Sequence, residues 1–152
     1  TWTPLGNAGA APISVHRLEI DPANPDHVYA TEWRSGLIGE TDRTGGLHFW
    51  NGEVWAELLD NDLVADVALD PQQPGRMVVS VSDHPFRDAP VPGGPQLSLD
   101  GGQTWTPLTD GLPVRRGDVI SADPWNPGRF ILGTEGRGFW EIDLDEALDS
   151  TA

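Results

Sequence analysis

Apolar and polar residues alternate along this chain in short runs instead of recurring every three or four positions. Leu18 and Ile20 in "VHRLEI", Val67 and Leu69 in "LVADVAL", and Ile120 and Ala122 in "DVISA" each take every second site. That is the period of a strand with one face turned inward. A second β-rich run follows each: Val28-Tyr29-Ala30-Thr31, Met77-Val78-Val79-Ser80 and Phe130-Ile131-Leu132-Gly133. Between the two runs stands D-P-x-x-P, at Asp21, Asp70 and Asp123. Two prolines there remove N–H donors and fix φ, so the chain must turn. Third runs ("GGLHFWNG", "PQLSLDGG", "GFWEIDL") come after a variable loop. In two cases a tight turn then leads to a fourth run carrying W-x-x-L, "WAELL" and "WTPLT". Only "IDLDEALDS" has the pattern of a helical turn.

The D-P-x-x-P phrases start 49 and 53 residues apart, and Trp2, Trp55 and Trp105 follow at intervals of 53 and 50. Two markers on one beat define about three repeats. Four short antiparallel strands repeating at this period make the blade of a β-propeller. The expected fold class is therefore all-β, with about three four-stranded antiparallel blades forming an incomplete ring as a single chain. Residues 1–152 are expected to be part of one propeller domain, with blade 1 over 14–59, blade 2 over 64–109 and blade 3 over 118–144, the last lacking its fourth strand. "TWTPL" at residues 1–5 repeats Thr104 to Leu108 and reads as the fourth strand of a blade whose first three are missing. Propellers close with roughly four to eight blades, and open sheet edges invite pairing. The expected partners are the remaining blades of a larger propeller or a second copy of the chain, giving a six-bladed dimer.

Ser98-Leu99-Asp100-Gly101-Gly102-Gln103-Thr104-Trp105 matches S-x-D-x-G-x-T-W. Asp100 is placed to accept the N–H groups of a hairpin turn, Gly101 and Gly102 to adopt positive φ, and Trp105 to cover the hairpin. Ser98, Asp100, Gly102, Thr104 and Trp105 are accordingly read as structural. In the first repeat, His48 and Trp50 replace the Ser and Asp, leaving Asn51-Gly52 to close the turn. This motif, the D-P-x-N-P turns and "GTEGRGFW" resemble Asp-box (BNR) propellers, those of family 74 glycoside hydrolases and of sortilin-like (VPS10) proteins. Photosystem II assembly factors with the same repeat are also similar. Kelch repeats match less well, because the Gly-Gly pairs hold no constant position. The resemblance implies an extracellular or periplasmic setting.

The net charge of −15, with nine Arg and no Lys, repels phosphate, so neither nucleic acid nor membrane insertion is expected. No apolar run approaches the roughly 18 residues that span a bilayer. Zero Cys excludes disulfides and thiolate chemistry. His16, His27 and His48 lack metal-ligand spacing, and neither a metal nor a cofactor is expected. The loops opposite the D-P turns vary most, as ligand-binding loops do. Trp33, Arg34, His84, Phe86, Arg87, Arg115, Arg116, Glu135 and Arg137 are the candidates for holding a glycan or a protein. The competing reading has Trp33 and Phe86 packing beneath their own loops, and Arg115-Arg116 pairing with Asp110 or Asp118. Asp62, Asp66, Asp83, Asp88 and Glu135 are carboxylates near that end, but nothing singles out a catalytic pair. The chain therefore reads first as a non-catalytic recognition surface within a larger secreted propeller. The alternatives are the C-terminal part of a family 74-like β-glucan or xyloglucan hydrolase, or a homodimeric six-bladed binding propeller.

Overall fold

The computed structural model describes residues 1–6, 11–12, 14–33, 45–82 and 93–149. Within them the fold is all-β, three antiparallel sheets of propeller blades. β1 (Val15–Ile20), β2 (Val28–Glu32), β3 (Gly46–Trp50) and β4 (Trp55–Asp60) form the first sheet in sequence order. β5 (Val64–Leu69), β6 (Met77–Val81), β7 (Gly94–Ser98) and β8 (Thr106–Pro107) form the second. β9 (Gly117–Ala122), β10 (Arg129–Thr134) and β11 (Gly138–Asp143) form the third, and α1 (Leu144–Asp149) follows. β1 packs against β5 and β5 against β9, which brings the first strands of the three sheets together. No helix among the described residues is long and apolar enough to cross a membrane.

The three D-P-x-x-P turns are one structure built three times. Asp21, Asp70 and Asp123 each turn a carboxylate oxygen onto the amide two residues ahead, at 2.8, 2.9 and 2.9 Å. Each Asp amide also donates to the carbonyl six residues on, that of His27, Arg76 and Arg129. Those same residues return a nitrogen to the carboxylate: the His27 imidazole at 3.5 Å, the Arg76 guanidinium at 2.7 Å, and the Arg129 guanidinium in direct contact. The pairing of Asp with a basic residue at i+6 is thus part of the repeat.

At the same end lies the Ser98–Trp105 turn. Asp100 accepts the Gln103 and Thr104 amides at 3.0 and 2.9 Å and the Thr104 hydroxyl at 2.6 Å. Ser98 Oγ accepts the Gly102 amide at 2.8 Å. Gly102 has φ +90°, and a Cβ there would stand 2.8 Å from Leu58 of the neighbouring blade. In the first blade Asn51 Oδ1 accepts the Glu53 and Val54 amides, both at 2.9 Å. The Gly101 amide donates to the Gly75 carbonyl at 3.0 Å, which stitches the hairpin turn to the D-P turn of its own blade.

Two apolar layers lie between the blades. Tyr29, Leu47, Val67, Leu69 and Val79 fill the first; Ala68, Val78, Phe130, Leu132 and Leu144 fill the second. Blade 2 is covered on both faces, so "MVVSV" in β6 is apolar at nearly every position and wholly buried. The outer two blades differ. Leu18 and Ile20, expected in the core by alternation, are 62% and 59% exposed, whereas their repeat equivalents Val67 and Leu69 are 2% and 8% exposed. The reason is geometric: these positions face the preceding blade, and among the described residues no blade stands before β1.

Two strand expectations differ from the structure. β8 is only two residues long, because Pro107 offers no N–H to the ladder; the Leu108 amide still donates to Pro95 O at 2.9 Å. Residues 1–5 join no sheet among the described residues and Trp2 is fully exposed. They are nonetheless anchored, since Trp55 Nε1 donates to Leu5 O at 2.9 Å.

Candidate functional site

The sequence candidates separate into two groups and an undescribed remainder. Trp33 directly follows β2, is half-buried, and bridges to Leu63 on the link into the second blade. Arg116 precedes β9, and its carbonyl accepts the Glu135 amide at 3.2 Å. Glu135 and Arg137 occupy the exposed turn from β10 to β11, and Arg115 is exposed beside them in sequence with Arg116. Arg34, His84, Phe86 and Arg87 lie outside the described residues. Ser98, Asp100, Gly102, Thr104 and Trp105 sit at the other end of the blades, in the hairpin turn between β7 and β8.

Around Trp33 the fold gathers residues that were not chosen from sequence. His16 stacks on Trp33 with centroids 4.4 Å apart and planes inclined by 19°. Burial and the neighbouring Arg17 hold the His16 pKa below its ordinary value, while Asp66 and Asp118 pull the other way. These four residues come from the first strands of all three blades. Counting back from the Asp of each D-P turn, Arg17, Asp66 and Val119 share one repeat position, and His16, Ala65 and Asp118 the next. That count is the signal available in the sequence: residue types that break the repeat at two adjacent shared positions.

Asp66 is the most constrained of them. Its two oxygens accept the amides of Val67 at 2.9 Å and of Ile120, on the next blade, at 3.0 Å. Burial nevertheless pushes its pKa upward, against the two amides, Arg17 and His16. Glu19, lower on β1, is raised by burial and then by the charge of Asp66. Close by, the Ser80 and Ser82 hydroxyls are buried without hydrogen-bond partners among the described residues. The Ser82 amide reaches Leu63 O at 2.9 Å, which puts that residue beside the Trp33–Leu63 bridge. Glu32, also buried, accepts the Ser14 amide at 3.0 Å and faces His48 Nε2 at 3.2 Å.

This arrangement offers an aromatic shelf, a guanidinium and carboxylates on rigid strands. It contains no nucleophile–base pair, and among the described residues no group of three or more His, Cys, Asp or Glu is placed to hold a metal. Both oxygens of Asp66 are engaged by amides, which makes it a clamp between blades 2 and 3 as well as a charge near the shelf.

No protein-family model matches the chain, and no match was found among curated protein sequences. Solved structures do match. The GH74 enzyme of Niastella koreensis superposes with TM-score 0.63 at 18% identity, over 85% of this chain and 22% of its own. The GH74 xyloglucanase of Xanthomonas campestris superposes with TM-score 0.65 at 18% identity, over 87% of this chain and 20% of its own. An ancestral GH74 enzyme gives 0.53 at 18%, over 93% and 24%. The fold is shared with GH74 enzymes. The chain spans about a fifth of the length of these structures.

Proposed function

We propose that this chain is a recognition segment of a glycoside-hydrolase-like propeller and that it binds a neutral polysaccharide at the loop end of its inner strands. The observation that carries the reading is the His16–Trp33 stack beside Arg17, Asp66 and Asp118. A partly exposed indole offers an apolar face to the C–H face of a sugar ring, and charged groups around it accept or donate hydroxyl hydrogen bonds. A net charge of −15 disfavours anionic glycans. Shared fold with a xyloglucanase makes xyloglucan the first polymer to try.

Affinity electrophoresis tests this directly. The chain migrates more slowly in a native gel containing xyloglucan than in one without, and Trp33→Ala removes the retardation while leaving the far-ultraviolet spectrum unchanged. Equal mobility in both gels sinks the reading. A hydrolytic reading draws on Asp66, whose raised pKa is the kind of perturbation a general acid needs. It predicts release of reducing ends from xyloglucan by the protein and none by Asp66→Asn; binding without release favours recognition alone.

A further inference from the structure

The hairpin turns of blades 1 and 2 are closed by different acceptors. In blade 2 the Asp100 carboxylate takes the Gln103 and Thr104 amides. In blade 1 the side chain in that role is a carboxamide: Asn51 Oδ1 accepts the Glu53 and Val54 amides, both at 2.9 Å. The Asn51 amide donates to Val54 O at 3.3 Å, and the turn stands between Trp50 and Trp55, which pair across β3 and β4. Residues 51–54 are all exposed. The corresponding Leu99 and Asp100 are exposed on blade 2, which has a blade packed on each side. This turn therefore belongs to the solvent-facing surface of the repeat and not to a seam between blades.

Asparagine is a chemically labile side chain, and the residue that follows it decides whether a backbone nitrogen can attack. Asn51 is the one asparagine of the five in the chain that precedes glycine. Asn24 and Asn126 precede proline, which has no amide N–H. Asn61 is buried, precedes Asp62 and holds the Leu63 amide at 3.0 Å. Asn7 lies outside the described residues and precedes Ala8. Gly52 has φ +96°, and the nearest atom to a Cβ built on it is Asp26 Cβ at 3.9 Å. Without a side chain of its own, it leaves its nitrogen open to the Asn51 carboxamide. The two donors on Oδ1 stand at 2.9 Å, inside the roughly 2.7–3.1 Å at which backbone amides stabilise a developing oxyanion.

We propose that Asn51 is a self-modification site, at which the turn converts its own carboxamide into a carboxylate. The Gly52 nitrogen, its proton passed to hydroxide, bonds to Asn51 Cγ. The charge that forms on Oδ1 falls on the Glu53 and Val54 amides. Collapse breaks the Cγ–Nδ2 bond; ammonia leaves with a proton from water, and a cyclic imide joins the two residues. Water then opens the imide. Addition at Cγ breaks the new bond and leaves aspartate in an unaltered backbone. Addition at the Asn51 main-chain carbonyl breaks the original peptide bond and leaves isoaspartate, with the chain running through the former side chain. The sum is water in and ammonia out, with one negative charge added. An aspartate here takes the two amides as a charge-assisted acceptor, the arrangement Asp100 already has. Isoaspartate lengthens the backbone between Trp50 and Trp55, whose rings lie 5.6 Å apart, and loosens that pair.

Peptide mapping by mass spectrometry tests this on the folded chain held at mildly alkaline pH. The peptide that contains Asn51 gains about one mass unit, the difference between a carboxamide and a carboxylic acid. Peptides containing Asn24, Asn61 and Asn126 keep their masses. The gain is faster at higher pH, because the deprotonated nitrogen attacks. Gly52→Ala slows it by about ten-fold or more, since the added methyl group crowds that nitrogen. Asn51→Asp melts no lower than the unaltered chain at neutral pH. An Asn51 left intact while the free peptide FWNGEVW converts, equal conversion at Asn61, or a Gly52→Ala chain that reacts as fast overturns the proposal. So does a lower melting temperature for Asn51→Asp, since the turn then requires the carboxamide.

Discussion

Replacing Arg76 by methionine removes the cation from the most deeply buried ion pair in the molecule's described part. The Arg76 and Asp70 side chains are 5% and 1% exposed, and Arg76 Nε and Nη2 reach the same Asp70 oxygen at 2.9 and 2.7 Å. That oxygen also accepts the Gly128 amide at 2.8 Å, so the pair ties the D-P turn of blade 2 to that of blade 3. Burial by itself works against the Asp70 charge; the Gln72 and Gly128 amides and Arg76 outweigh it and hold the pKa below the ordinary carboxylate value. Without Arg76 the charge remains buried with amide donors only. Breaking such a pair from one side costs about 3–5 kcal/mol, a large share of the roughly 5–15 kcal/mol that holds a domain together. At about 2–4 °C per kcal/mol for a chain of this size, the melting temperature falls by roughly 6–20 °C. Urea unfolding followed by tryptophan fluorescence measures the loss. Asp145→Asn is the control: Asp145 also contacts Arg76, at 3.4 Å, but is 72% exposed, and an exposed ion pair contributes about 1 kcal/mol or less. A midpoint for Arg76→Met within error of the unaltered chain, or a larger effect from Asp145→Asn, refutes the clasp.

Phe130→Ala, at a fully buried ring between blades 2 and 3, lowers stability by about 3–5 kcal/mol in the same urea experiment. Gly128→Ala forces a Cβ onto a residue at φ +81° and to 3.1 Å from the Arg76 guanidinium; a loss of about 1–2 kcal/mol is expected. Asp100 is held at about 2, below its ordinary value of 3.8, chiefly by the Thr104 hydroxyl and amide. A depressed carboxyl stabilises the fold above its unfolded pKa, so this contribution is lost as pH falls from about 4 toward 2, and Asp100→Asn flattens that part of the acid-unfolding curve. Asp66 and Glu19, both raised, act with the opposite sign: what they contribute at low pH is lost as pH rises through their folded values.

Much of the architecture was legible because turns and strands are set locally. D-P-x-x-P fixes φ twice and offers a carboxylate to its own amides, so three copies marked three hairpins without any knowledge of the tertiary structure. The i+6 partner was equally local, yet His27, Arg76 and Arg129 differ in residue type, and the shared role shows only when the distances are in hand. Alternation placed Leu18 and Ile20 correctly on one face but not in a core, because burial depends on what lies across that face. The candidate site was the least legible part. Trp33 was found from its loop position, whereas His16, Arg17 and Asp118 lie at strand positions that meet only when blades stand side by side. Asp66 was one carboxylate among several until its amide partners distinguished it.

One end of blade 2 is pinned twice, by its D-P turn and by the Gly101–Gly75 hydrogen bond that ties its two hairpin turns together. Strands leave that end already in register, whatever happens at the other. Each of these contacts is made within the turns themselves, so a sequence change between the second and third strands leaves them in place. A library randomised in those segments alone should yield binders on an unchanged melting curve, which makes the repeat a chassis for selection as much as a fold.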